Sequence, residues 1–239
     1  MKLRFLGTRG EIEARTRRHG RHSALLVGFR GRSVMVDCGL DWRSRLRRLR
    51  PEAIVLTHAH PDHAGGLRDG APCPVCATGD TWRSLPRYPI DERVEVRPRE
   101  PFQLGRIRFE AFTVEHSIRA PAVGYRIAAG RAAVFYAPDL VSIDEEQTAL
   151  AGLDLYIGDG AAISRSIIRR RDGRPIGHAS IRVQLDWCAA AGVQWAVFTH
   201  CGSEIVTGDA RKAGRRVGAL GAERGLRAEI ARDGLELML

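Results

Sequence analysis

The sequence predicts a layered α/β fold in a single domain spanning residues 1–239. Three features carry that expectation. Short apolar runs of strand length keep ending in small or polar residues, helix-length segments lie between them, and the side chain that follows a run is repeatedly Asp or His. With 44% hydrophobic and 28% charged residues, the composition is that of an ordinary globular chain.

In chain order, "SALLVGF" and "SVMVDCG" read as paired strands joined by residues 30–32, with Asp37 behind the second. "EAIVLTHAH" is a buried strand running into His58, and "IRFEAFTVEHS" delivers His116. "AAVFYAPD" delivers Asp139, "LDLYIGDG" delivers Asp159 and "WAVFTHCG" delivers His200. Helices are expected at 62–68, 143–151, 181–191 and 209–224, and "LRAEIARDGLELML" reads as a hairpin turning at Asp233-Gly234. Ligand sites on layered α/β folds gather where strand ends place side chains together, so six strands ending in carboxylate or imidazole point to one site.

Composition restricts the function classes. Lys2 and Lys212 are the only lysines among 38 basic residues, so a net charge of +10 rests on arginine. Such a chain attracts anionic substrates and nucleic acid. Five scattered cysteines speak against a disulfide framework and for a reducing compartment, the cytoplasm. "MKLRFLGTRGEIEARTRR" lacks the apolar stretch of a signal peptide, and no long uncharged apolar run offers a membrane span.

"VLTHAHPDHAGG" concentrates His58, His60, Asp62 and His63 in a chain with eight histidines. Neutral imidazoles suit zinc, iron or manganese, and a carboxylate adds a hard ligand. With His58 and His60 facing one way and Asp62 and His63, at a helix start, another, the loop can wrap two cations. His116, His200 and Asp139 are available at strand ends to complete two sites, which in two-metal hydrolases stand roughly 3.5–4 Å apart.

"THAHPDHAGG", followed in order by His116, Asp139 and His200, resembles the signature of the metallo-β-lactamase superfamily. The resemblance covers essentially the whole chain and implies a four-layer αββα sandwich with two divalent metal ions at the sheet edges. Zinc is the first expectation, manganese and iron the alternatives. By that resemblance His58, His60 and His116 hold one metal, Asp62, His63 and His200 the other, and Asp139 bridges them. Asp37 matches an early strand-end aspartate that fixes the His loop without binding metal.

"LGTRG" and "GHASIRVQLDWCAAAGVQWAVFTHCG" are similar to the phosphodiesterase branch, with its tRNase Z-like and PhnP-like enzymes. Asp159 and His178 match an acid–His pair that stands beside the metals there, with Asp159 in place of the glutamate of tRNase Z. The implied reaction is hydrolysis of a phosphodiester in RNA, DNA or a cyclic nucleotide by a metal-bridging hydroxide. Asp62 orients or deprotonates the water, and His178 protonates the leaving oxygen while Asp159 holds it. A glyoxalase II-like thioester hydrolase shares nearly the same ligands and stands as the alternative, with a metal-containing nucleic-acid-binding module behind it. A homodimer is expected because related enzymes often dimerise.

Arginine forks suit phosphate. Arg15, Arg17 and Arg18, in the turn between the first two strands, and Arg165, Arg169, Arg170 and Arg171, in a basic loop before His178, are therefore candidate substrate contacts. His19 and His22 read as ordinary polar loop residues, Cys73 and Cys76 as structural, and Ser180 as a helix cap. Cys201 should face away from the site.

Overall fold

The computed structural model describes residues 1–239. Strands β1 (Lys2–Gly7), β2 (Ala24–Phe29) and β3 (Arg32–Val36) form an antiparallel meander, and β4 (Ala53–Val55), β5 (Val75–Thr78) and β6 (Arg93–Val96) extend it in parallel. Arg30 and Gly31, at φ 48° and 80°, make the tight turn between β2 and β3. A second sheet uses β7 (Phe102–Leu104), β8 (Ile107–Glu115), β9 (Ala122–Ala129), β10 (Ala132–Tyr136), β11 (Ser142–Ile143) and β12 (Leu155–Asp159). Between them and the next strands stands a separate hairpin, β13 (Ile167–Arg171) with β14 (Arg174–His178). β15 (Trp195–Thr199) and β16 (Arg227–Ile230) complete the second sheet in parallel, and β17 (Glu236–Met238) returns to pair with β1.

Three apolar clusters separate four layers. Leu3, Phe5, Val34 and Val36 of the first sheet meet Phe109, Tyr125, Val134 and Ile157 of the second. On the outer face of the first sheet, Met35, Ile54 and Val75 pack on Trp42, Leu46 and Leu67, around the short helices α1 (Leu46–Leu49), α2 (Pro61–Ala64) and α3 (Gly79–Ser84). On the outer face of the second, Phe135, Tyr156 and Phe198 meet Leu185 and Val217. Those two come from α5 (Ile181–Ala190) and α7 (Ala210–Ala222), which follow α4 (Glu146–Leu150) and flank α6 (Ser203–Val206). This is the αββα sandwich. Each central strand feeds one apolar layer with its even positions and another with its odd ones, which is why the strands read as continuous hydrophobic runs.

Local details depart from the sequence expectation. The run 143–151 begins as β11, because residues 142–143 pair with β8, and the helix starts only at Glu146. Asp233-Gly234 is a turn, but not of a hairpin. β16 belongs to the second sheet and β17 to the first, and the turn carries the chain between them. The expected basic loop at 164–177 instead contains the β13–β14 hairpin, turning at Asp172 and Gly173 with φ 48° and 77°. All five cysteines are free; Cys201 is buried in the apolar cluster outside the second sheet. Trp82, Trp187 and Trp195 pack half-buried against core clusters. No helix is long and apolar enough to cross a membrane.

His19 and His22 are buried rather than loop-surface residues. His19 Nδ1 lies 2.9 Å from Thr8 Oγ1, and His22 Nε2 lies 2.8 Å from the buried guanidinium of Arg9. Burial, reinforced by Arg18, lowers the His19 pKa to about 4. The unfolded chain therefore binds the extra proton first, and stability falls as pH drops from about 6.5 toward 4. In urea titrations the native chain should lose more stability over this window than His19→Gln. Parallel losses in the two proteins would show that His19 is not the titrating group.

Candidate metal centre

Parallel pairing explains why the polar residues converge. β3 runs parallel to β4, and β10, β12 and β15 run parallel to one another, so their C-terminal ends open on common edges. Asp37 follows β3, His58 lies beyond β4, and Asp139 lies beyond β10. Asp159 closes β12, and His200 follows β15. β8, antiparallel to β9 and so running in the same direction as β10, adds His116 from the same edge. Pro61 at the first position of α2 presets the backbone that carries Asp62 and His63. Asp37 and His200 both sit at positive φ, 62° and 52°, a conformation tolerated where surrounding structure enforces it.

Hydrogen bonds fix the imidazole tautomers. His63 Nδ1–H donates to Asp37 Oδ2 at 2.9 Å, and His116 Nδ1–H donates to the Gly177 carbonyl at 3.0 Å. The Thr57 hydroxyl donates to Asp37, so His58 Nδ1–H must donate to Thr57 Oγ1, 3.0 Å away. When neutral, each of these rings thereby turns the lone pair of Nε2 inward. His60 presents Nδ1 instead, 3.0 Å from His58 Nε2 and 3.3 Å from His116 Nε2.

Two donor groups result. His58, His60, His116 and Asp139 form one, and Asp62, His63, His200 and Asp139 form the other, the ligand atoms of each lying within 4.8 Å of one another. Asp139 Oδ2 is 3.4 Å from His58 Nε2 and 3.0 Å from His63 Nε2, so one carboxylate reaches both groups. His63 Nε2, His200 Nδ1 and Asp139 Oδ1 are buried and make no hydrogen bond. Lone pairs crowded together without donors fit cations, and the N/O donor set suits zinc, manganese or iron. Burial, then the neighbouring His116, lowers the His60 pKa to about 4, leaving it neutral and able to ligate. Burial opposes ionisation of Asp62, but His63 and His200 hold it well below the usual carboxylate range.

His178, delivered by β14, stands beside these groups. Its Nδ1 is 2.8 Å from Asp159 Oδ2 and 3.2 Å from Asp139 Oδ1. Burial pulls its pKa down, but the two carboxylates outweigh it and raise the value to about 10. Asp159 is itself held by Ala161 N–H at 2.8 Å. Behind it, Gln184 accepts from the Asp159 N–H and donates to its carbonyl. The same geometry also makes His178, Asp159, Asp139 and His200 a third donor group.

The centre opens into a cleft of about 710 Å³ lined by Gly10, Glu11, Ile12, Arg165, Ile167 and Glu204 among others. Of the arginines named as substrate contacts, only Arg165 lines this cleft. Arg15 and Arg17 line a neighbouring cavity, Arg18 is exposed, and Arg169, Arg170 and Arg171 are exposed along β13.

Residues 32–201 match the β-lactamase superfamily domain. The chain belongs to that superfamily. This superfamily member is 31% identical over 147 residues to a ribonuclease Z of Methanopyrus kandleri, the match covering 52% of this chain and 49% of the relative. It thus spans about half the length of that curated relative. Its fold is that of the metallo-β-lactamase fold protein YhfI from Bacillus subtilis, with TM-score 0.77 at 18% identity over 99% of this chain and 98% of the other. A diphosphatase from the PhnP family superposes with TM-score 0.71 at 19% identity, over 100% and 97%.

Thr57, Gly177 and Gln184 are site residues that sequence reasoning passed over. Thr57 and Gly177 each precede a histidine already singled out, which is the signal that could have found them. Gly177 N–H donates to the His116 carbonyl while its own carbonyl accepts from the His116 ring. Its φ is +119°, and an added Cβ would lie 2.0 Å from the Ile167 carbonyl oxygen. In this superfamily member, Gly177→Ala should therefore displace His116 and His178 together. Metal content should fall and amide exchange at residues 167–178 accelerate; retention of both would show that the hairpin tolerates the side chain. Asp37→Asn should weaken metal affinity by roughly 10–100-fold, since an outer partner that sets ligand orientation is lost. Competition against a chelator measures this, and unaltered affinity would remove Asp37 from that role.

Proposed function

We propose that this chain is a dinuclear metal-dependent phosphodiesterase acting on a nucleotide or nucleic-acid phosphodiester. The observation that carries the reading is His178, clamped by buried Asp159 at the wall of the cleft directly beside the two donor groups. His58, His60 and His116 would hold one cation and Asp62, His63 and His200 the other, with Asp139 shared, and zinc suits this set. Bound there, divalent cations supply Lewis acidity and lower the pKa of water.

The chain's own groups do the rest. With Nδ1 held by carboxylate, His178 has Nε2 free of protein partners, and a protonated ring donates Nε2–H to the leaving oxygen. Asp159 keeps the ring oriented and stabilises its charge. Asp62 orients the attacking water or takes up its proton. Arg165, on the same cleft wall, pairs with phosphate oxygens. The resemblance to a ribonuclease Z and to a PhnP-family diphosphatase supports phosphate-ester chemistry over thioester hydrolysis. Five free cysteines support a cytoplasmic location.

Purified, metal-analysed protein should hydrolyse bis(p-nitrophenyl) phosphate, with a glutathione thioester left intact. His178→Ala should lower kcat by roughly 10²–10⁴-fold, the usual contribution of a positioned acid, while metal content stays unchanged. Asp139→Ala should empty at least one site. Equal loss of metal in His178→Ala would make His178 a ligand, and turnover of the thioester alone would move the chain to the glyoxalase II-like reading.

A further inference from the structure

Beside the cleft, two adjoining cavities of about 460 and 240 Å³ share Arg21, Arg45 and Gly234 and form one continuous trough. Arg15 and Arg17 wall the larger part, which has no hydrophobic lining residue, and Arg4 and Arg48 wall the smaller. The two carboxylates at its base are already engaged. Asp41 accepts from Arg9 at 2.8 Å, Arg15 at 2.7 Å and the His22 N–H at 2.9 Å. Asp233 accepts from Thr8 Oγ1 at 2.8 Å and from the Gly20 and Arg21 N–H groups at 3.0 and 3.1 Å. Arg17, Arg45 and Arg48 are exposed and reach no carboxylate. A neighbour of like charge is a cost that a bound anion relieves, so these forks are arranged for a ligand with more than one phosphate.

We propose that the trough binds the backbone phosphates of a single-stranded polynucleotide whose scissile phosphodiester sits in the metal cleft. The inference rests on the phosphodiesterase reading and narrows its substrate from any nucleotide diester to a strand. Continuity supports it. Gly10 to Ile12 line the cleft, and the same loop lines the trough from Arg15 to Arg21. Ile12 to Arg15 spans at most about 10 Å of chain, less than two phosphate spacings of an extended strand. The arginines are spread along two cavities rather than gathered around one point, which suits a linear polyanion rather than a free phosphate. A flexible strand can also enter a cleft whose ligands are nearly buried.

The test uses Arg45→Ala combined with Arg48→Ala, both exposed positions outside the metal centre. Binding of a short fluorescent single-stranded oligonucleotide is measured by anisotropy over a range of salt, in the His178→Ala background so that the strand is not consumed. Affinity should fall about tenfold, and the slope of log K against log salt should decrease by about 1.4, as for two lost phosphate contacts on a single strand. The same pair of changes in the otherwise native protein should leave turnover of bis(p-nitrophenyl) phosphate unchanged. Unaltered affinity and slope, with that turnover intact, would overturn the trough and leave the phosphodiesterase reading standing. A mononucleotide bound as tightly as the oligonucleotide would make the trough a small-anion site and also overturn it. A native protein with no phosphodiester turnover loses the reading itself, and the strand track falls with it.

Discussion

One buried carboxylate holds the metal loop in shape. Asp37 accepts the Thr57 N–H at 2.8 Å, the Thr57 hydroxyl at 2.9 Å and His63 Nδ1–H at 2.9 Å. Through Thr57 it sets the tautomer of His58, and directly it sets that of His63, so one side chain orients a ring in each donor group. A fully buried charge is tolerable only when its lone pairs are filled in this way. The left-handed backbone at Asp37 is the conformational cost of placing it there, and the sheet on either side enforces it.

Each donor group draws ligands from both sheets. The His loop belongs to the first sheet, whereas His116, Asp139 and His200 belong to the second. The centre therefore sits on the seam of the sandwich, where alternating side chains stop packing and strand ends turn outward. Positive charge is arranged differently. Around the buried centre, carboxylates outweigh the single nearby guanidinium of Arg165 in the cleft, while Arg17, Arg45 and Arg48, which reach no carboxylate, line the trough beyond the loop. On the proposed reading, attraction of an anion and stabilisation of its reaction fall to different surfaces.

Much of this was legible in the chain. Strands buried on both faces read as uninterrupted apolar runs, and each run pointed to the polar residue that ends it. Reading failed where a local signal has two outcomes. Asp172-Gly173 and Asp233-Gly234 are the same dipeptide with a turn in each, yet only the first closes a hairpin. At the second, β16 finds β15 and β17 finds β1, both distant partners, and no turn residue reports which edges of which sheets are free. The arginine positions failed for a similar reason. Arg15 and Arg165 look equivalent in composition, but one faces Asp41 across the trough and the other lines the cleft, a distinction made by packing. Arg9 was invisible altogether, since a buried arginine becomes intelligible only with Asp41 and His22 around it.

The pairing of β1 with β17, Lys2 opposite Met238, closes the first sheet with a contact between residues far apart in the sequence. The outer neighbour of β1 is β17, the strand furthest from it in sequence. His200 behaves similarly, because the Cys201 N–H bonds the Thr8 carbonyl and the Gly10 N–H bonds the Cys201 carbonyl. The metal-facing histidine furthest along the sequence is thus stitched to the loop that follows β1. Closing so long a span costs entropy that grows only slowly with length, but contacts so distant in sequence slow folding.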